Sequence, residues 1–425
     1  MRNVYLWAVM TVVLLGVAAC AQPAAGELVR SEKQRVTSPD VSEADLATLV
    51  DGNSVFALEL YQQLGQEDGN LFYSPYSISL ALAMTYAGAR GETGQQMADA
   101  LHFILSQDRL HPALNSLDLE LSQRGEGAKG KDGEGFRLNI VNAIWGQKDY
   151  HFLPTFLDLL AENYGAGLRT LDFANAPEES RITINNWVSD QTENRIEDLI
   201  PRGLIDALTR LVLTNAIYFN AAWQHPFNED VTEDGPFYLL DGGQVTVPMM
   251  RQTESFGYAQ GDGYQVVELP YDGRELSMVI LLPQPGQFER FEGSLDAQWV
   301  NAIVEELEPG RVAVTMPRFE FESAFSLNEI LAAMGMPVAF SGGADFSGMT
   351  GNTDLFISHV VHKAFVCVDE AGTEAAAATA VVMKLTAAPG TPPVQVTVDR
   401  PFVFLIRDIE TGTILFVGRI VDPSA

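Results

Sequence analysis

Apolar positions along the chain follow two rhythms. Continuous or alternating apolar runs predict strands at "FRLNIVNAIWGQ", "LTRLVLTNAIYFNAAW", "YQVVELPY", "LSMVILLP" and "RVAVTMPRFEFES". Two more, "PFVFLIRD" and "TILFVGRIV", close the chain around a Thr-Gly turn. Helical spacing lies between them. "NSVFALELYQQLG" sets Phe56, Leu60 and Leu64 four apart and predicts a helix from Asn53 to Gly65, capped at both ends. Ser74-Pro75 suits a helix start, and the apolar run Ile78–Ala87 a buried helix ending near Gly88 or Gly91. "PTFLDLLAENYG", "SRITINNWVSDQT" and "LDAQWVNAIVEELEPG" read as further helices, and 125–135 ("GEGAKGKDGEG") as a surface loop. Helices and strands interleave without a regular βαβ rhythm or an internal repeat. The class is therefore α+β, with a single folded unit over residues 46–425.

The N-terminus is a separate object. Arg2 precedes an apolar run from Val4 to Ala19 that is short for a membrane span and ends in small residues before Cys20, which describes an export signal over residues 1–20. The ending "VAAC" also fits a lipid attachment box with Cys20 as the mature N-terminus; ordinary cleavage nearby, with Cys20 incidental, stays open. Either way an exported protein is expected, in the first case lipid-anchored at the cell envelope and touching the membrane through that anchor alone. Residues 21–45 have few large apolar side chains and read as a flexible tether.

Of 425 residues, 47% are hydrophobic and 19% charged, enough apolar material for a large core. A formal net charge of −30 excludes nucleic acid as a partner. The two cysteines, Cys20 and Cys367, provide no disulfide framework once Cys20 carries lipid, and Cys367 in "KAFVCVD" reads as a buried small residue. Catalytic motifs are missing. There is no G-x-S-x-G or C-x-x-C, and the glycines of 125–135 lie in the surface loop. His359 and His362 are three apart in a strand-like run and point to opposite faces, so they do not converge on a metal. No cofactor is called for, and the chain does not read as an enzyme.

One stretch fits no ordinary element. "DEAGTEAAAATAVVMKLTAAPGTPP", Asp369 to Pro393, mixes acidic residues, a glycine, an alanine run, two valines and prolines. Split by strand parity, one face carries Thr373, Ala375, Ala377, Thr379, Val381 and Met383 and no charge; the other carries Glu374, Ala376, Ala378, Ala380, Val382 and Lys384. Such a segment can enter a sheet with its uncharged face on a core. It continues directly from the apolar run "KAFVCVD" through Gly372, which supplies a hinge.

"VHKAFVCVDEAGTEAAAATA" resembles the strand and proximal hinge of a serpin reactive-centre loop, with Glu370, Gly372, Thr373 and Ala375, Ala376, Ala377 and Ala378 in the family's hinge positions. "NLFYSPYSIS", "LTNAIYFNAAWQHPF", "FSGMTG", "RPFVFLIRD" and "LFVGRIVDP" resemble other serpin segments, so the likeness spans nearly the whole body. It implies a serpin fold, helices around three β-sheets, with an exposed reactive-centre loop over about 370–393. It also implies that Ser74, Ser77, Asn215 and His362 form a polar cluster under the main sheet, and that Trp223 stands at the top where the loop enters. Thr373 is then expected near the mouth of the sheet, in reach of solvent until the loop inserts.

The function implied is a suicide inhibitor of serine, or cysteine, proteases: a metastable fold, loop cleavage, an acyl-enzyme, and insertion of the loop into the sheet. Counting from Glu370 places the scissile bond at Thr386-Ala387, which suits elastase-like or subtilisin-like enzymes. Shifts of register give Leu385-Thr386 or Lys384-Leu385. The helix that would carry a heparin site reads "PALNSLDLELSQ", without lysine or arginine, so heparin is not expected, and a monomer is. A non-inhibitory serpin serving as a carrier or binding lipoprotein is the alternative, and a purely adhesive surface lipoprotein a further one.

Overall fold

The computed structural model describes residues 26–125, 128, 137–373 and 392–425. The strands in chain order are β1 (Glu27–Val29), β2 (Leu71–Tyr73), β3 (Arg137–Gln147), β4 (Leu168–Leu171), β5 (Leu211–Ala222), β6 (Glu233–Tyr238), β7 (Gln244–Gly261) and β8 (Tyr264–Pro270). They continue as β9 (Leu276–Pro283), β10 (Glu308–Pro317), β11 (Phe319–Ser326), β12 (His359–Val368), β13 (Gly372–Thr373), β14 (Val394–Thr397), β15 (Phe402–Asp408) and β16 (Ile414–Ile420). The helices include α1 (Glu43–Leu64), α2 (Pro75–Tyr86), α3 (Gly91–Ala100), α4 (Gln107–Leu121), α5 (Pro154–Tyr164), α6 (Pro177–Gln191), α7 (Phe288–Glu292) and α8 (Ala297–Glu305).

Among the described residues the strands form two ladders. A seven-stranded sheet runs β1-β4-β3-β5-β13-β12-β11, and below β13 its neighbours β5 and β12 pair directly and in parallel. The second runs β14-β10-β7-β8-β9-β15-β16-β2, with β6 on β7. Two of the three expected sheets are thus joined, because the long β7 pairs with β10, β6 and β8 along its length. The main core fills the space between the sheets, where Phe72 stacks on Phe416 at 4.9 Å and Phe219 and Phe319 pack nearby. A separate, smaller core lies under α6, from Trp145, Ile184, Val188, Val212, Ala216 and Val361.

Ser74 caps α2 as its Ser-Pro pair predicts, the hydroxyl accepting from the Ser77 amide with Pro75 in the first turn. Elsewhere the pattern misled. α1 begins at Glu43 behind an Ser42 cap, so Asn53 is a buried mid-helix residue rather than a cap. Gly52 explains the false signal: a Cβ there would stand 2.4 Å from the His102 carbonyl, so glycine serves close packing and not a helix end. "RVAVTMPRFEFES" is two strands that break at Arg318 and belong to different sheets.

The stretch expected as a flexible tether is, from Gly26 onward, fastened to the domain. β1 adds antiparallel to β4 at the sheet edge, and residues 31–36 lie across α4 and α5. Arg35 pairs with Asp118 at 2.6 Å and donates to Asn115 at 2.8 Å, Lys33 meets Glu162 at 2.8 Å, and the Val36 amide donates to the Glu162 carbonyl at 2.9 Å. Polar pairing adds to the few apolar anchors of the segment, Val29 and Val41, which pack against the main core.

Candidate functional site

At the top of the seven-stranded sheet, β13 is wedged between β5 and β12, antiparallel to both: Thr373 sits opposite Ala221 on one side and Val368 on the other. The turn leading into it is built by Asp369, whose Oδ1 accepts from the amides of Ala371 at 2.7 Å and Gly372 at 3.1 Å. Gly372 passes so close to β5 that a Cβ would stand 2.1 Å from the Ala221 carbonyl, so only glycine fits. Trp223 holds the turn from below, donating from its backbone to Ala371 at 2.8 Å and from Nε1 to the Asp369 carbonyl at 3.0 Å. Its ring stacks on Tyr271 at 4.7 Å and 8°, and the Tyr271 hydroxyl shares a 2.8 Å hydrogen bond with Thr373. Burial pushes the Tyr271 phenol well up.

Thr373 is therefore fully enclosed, not within reach of solvent as expected from sequence. Its row of the sheet is already occupied. Glu370 is buried as well, accepting from Thr232 Oγ1 at 2.6 Å and facing Arg318 at 3.3 Å, where a cleft of about 450 Å³ opens. Ala375 to Ala378, Lys384, Leu385, Thr386, Ala387 and Cys20 lie outside the described residues.

Lower down the seam, Asn215 of β5 and His362 of β12 are register partners, and His362 Nδ1 bonds Asn215 Oδ1 across the strand pair. The amide of Asn215 donates in turn to Ser77 Oγ and Asn142 Oδ1. His362 Nε2 accepts from the Ser74 backbone amide at 3.3 Å, which makes Nδ1 the protonated nitrogen of a neutral ring. Burial lowers the His362 pKa to about 3. Ser74, Ser77, Asn215 and His362 thus come together in one hydrogen-bonded cluster, with Asn142 as an added member. His359, on the same strand, faces the other way, its pKa lowered by burial on the α6 side near Leu204.

A sequence model described as serpin (serine protease inhibitor) matches residues 51–423. The chain is a serpin. It is 42% identical to the leukocyte elastase inhibitor of Bos taurus over 384 residues, covering 87% of this chain and 98% of that protein. It is 40% identical to a serpin-like protein of Thermococcus kodakarensis over 390 residues, 90% of this chain and 88% of the other. Among solved structures, the native thermophilic serpin tengpin superposes with a TM-score of 0.83 at 27% identity, covering 93% of this chain and 99% of tengpin. Uncleaved ovalbumin gives 0.78 at 26%, covering 88% and 100%.

Sequence reasoning about this serpin missed Asp369 as the turn maker, Tyr271 beneath the hinge and Asn142 in the polar cluster. A signal for Asn142 was present. "VNAIW" and "TNAIY" repeat the triplet Asn-Ala-Ile, and Asn142 and Asn215 prove to be direct partners in the β3–β5 ladder.

Proposed function

We propose that this serpin inhibits serine proteases as a single-use trap, by loop cleavage, acyl-enzyme formation and insertion of the loop between β5 and β12. The observation that carries the reading is β13: two residues of the loop's own leading end already stand in the seam, antiparallel to two strands that are parallel to each other below it. Extending that register downward sets Thr379 in the row of Asn215 and His362, and Met383 opposite Leu211, the first residue of β5. The face entering the main core is then the uncharged one, Thr373 through Met383. Thr379 would bring a hydroxyl to the row where the Asn215–His362 bond must open.

Chemically, the protease serine attacks the carbonyl of Thr386, the bond to Ala387 breaks with a proton passing to the leaving amine, and the loop stays esterified to the enzyme. Cleavage frees the strand to run down the seam. Seven direct β5–β12 pairings are replaced by antiparallel ladders on both sides. At about 3.3 Å per residue, the ten steps from Thr373 to Met383 set the end of the inserted strand roughly 33 Å below the hinge, and the protease held at Thr386 travels with it. Dragging at the ester distorts the protease before water completes hydrolysis.

The small residues at Thr386-Ala387 and the similarity to leukocyte elastase inhibitors favour an elastase-like target. In the same reading the chain works as a monomer, exported and anchored through Cys20. Incubation with elastase, subtilisin, chymotrypsin and trypsin should give a covalent complex with the first two, stable to boiling in detergent. Mass spectrometry of the released peptide should begin it at Ala387. Complete cleavage with full recovery of protease activity from all four enzymes would overturn the reading.

A further inference from the structure

One side-chain arrangement under α6 has no part in the hinge or the polar cluster. Arg169 of β4 lies in a row across the sheet with Leu28 on one side and Trp145 on the other. Its guanidinium stands 4.9 Å from the ring centre of Trp187, on α6, and 5.7 Å from that of Trp145. The two indoles also meet edge to face at 5.3 Å and 80°. Trp145 is fully buried and donates from Nε1 to Thr214 Oγ1 on β5 at 2.9 Å. A connected clasp therefore runs from α6 through Arg169 and Trp145 to β5. A guanidinium suits this place, since its charge is spread over three nitrogens within reach of both ring centres, where a lysine ammonium is a single point.

The core under α6 straddles the seam, because it includes Val212 and Ala216 of β5 and also Val361 of β12. The segment after α6 is tied to β12 as well, through Lys363 Nζ donating to the Glu197 carbonyl at 3.0 Å. A strand entering between β5 and β12 moves them apart by about 4.8 Å at each row. Packing of α6 on both sides cannot survive that step.

We propose that Arg169 is a positioning residue for loop insertion: gripped by Trp145 and Trp187, it holds α6 down on the β5 side of the seam and so sets how fast the sheet opens. The proposal rests on the insertion reading above. Side chains entering at the rows of Ala216 and Val212 pass beneath a seated helix, and the clasp resists its lifting.

The test compares the parent with Arg169→Gln, Arg169→Lys and, as a control away from the seam, Arg35→Ala. Uptake of a synthetic peptide of residues 373–386 is followed by tryptophan fluorescence, unfolding in urea gives stability, and the yield of detergent-stable complex per cleavage is scored with elastase. Arg169→Gln should take up peptide about three- to thirty-fold faster than the parent, the range expected from losing cation–π contacts present in the closed sheet and absent while it opens. Arg169→Lys should fall between, and Arg35→Ala should lose stability without a change in uptake. Equal or slower uptake by Arg169→Gln, or equal acceleration by Arg35→Ala, would reduce Arg169 to an ordinary stabilising contact. If the parent itself takes up no peptide, the insertion reading falls and this inference with it; if the parent does and Arg169→Gln matches it, only this inference falls.

Discussion

Replacing Thr373 by arginine should convert the inhibitor into a substrate while leaving a folded protein. Thr373 is fully enclosed, and an unpaired guanidinium held in its place would cost at least several kcal/mol. The chain has a cheaper response. β13 is held by its pairings with Ala221, Ala222 and Val368 and by the Tyr271 hydroxyl, a handful of hydrogen bonds each contributing net about 1 kcal/mol. Expelling the hinge therefore caps the loss in the uncleaved protein at about 4 kcal/mol. Urea unfolding should register that loss, and fluorescence should report the altered surroundings of Trp223. After cleavage, no such escape exists: residue 373 is the first that must re-enter, and the acyl-enzyme is hydrolysed while insertion stalls. On a gel the variant should be cut at the parent's bond and give no stable complex, with protease activity recovered. Thr373→Val is the companion. It keeps the size and removes the hydroxyl, leaving the buried Tyr271 hydroxyl without its partner at about 1–3 kcal/mol, yet it should still trap protease. If Thr373→Arg traps protease as well as the parent, residue 373 does not enter the sheet during inhibition and the reasoning fails.

Three other outcomes are expected. Burial lowers His362 to about 3 and His111 to about 4 from 6.5, so between pH 6.5 and 4 the unfolded chain binds protons that the folded one refuses. Stability should be complete above that window and drain as pH falls through it, by up to about 1.4 kcal/mol per pH unit for each histidine; urea midpoints that stay flat from pH 7 to 4.5 would contradict this. Arg35→Ala removes a partly buried ion pair with Asp118 and the bond to Asn115, and should lower unfolding free energy by about 1–2 kcal/mol, an unchanged value meaning that the N-terminal segment adds nothing. Cys20→Ser should change signal processing and membrane association in cell fractionation, and unchanged association with no processing defect would remove the lipid anchor from the reading.

Much of the fold was legible wherever a local period carried it. Continuous apolar strands such as β5, β9 and β15, and the Ser-Pro start of α2, announce themselves because neighbours in sequence share one burial environment. β6 and most of β7 did not, since Pro236, Pro248 and an exposed face break the alternation. The N-terminal segment escaped for a different reason. Arg35 finds Asn115 and Asp118 some 80 residues away in sequence, and Ser31 finds Asp158 at a separation of 127, and such pairs leave no periodic trace. At the site, resemblance reached His362 and Asn215, but the hinge's enclosure depends on Tyr271, whose place beneath Thr373 is a matter of sheet stacking.

Fastening β1 along β4 bears on how the molecule meets its own copies. With β1 removed, β4 would be the outermost strand of the seven-stranded sheet, with a row of unpaired amides and carbonyls open to any extended chain. In its place the outermost strand is three residues long and carries Glu27, too short and too charged to template another. A version trimmed to begin at residue 46, where sequence alone would draw the boundary, should thus be more prone to aggregate as concentration rises, even where its loop chemistry is intact. The first stretch of the folded chain serves as the selvedge that keeps the sheet from being woven into its neighbours.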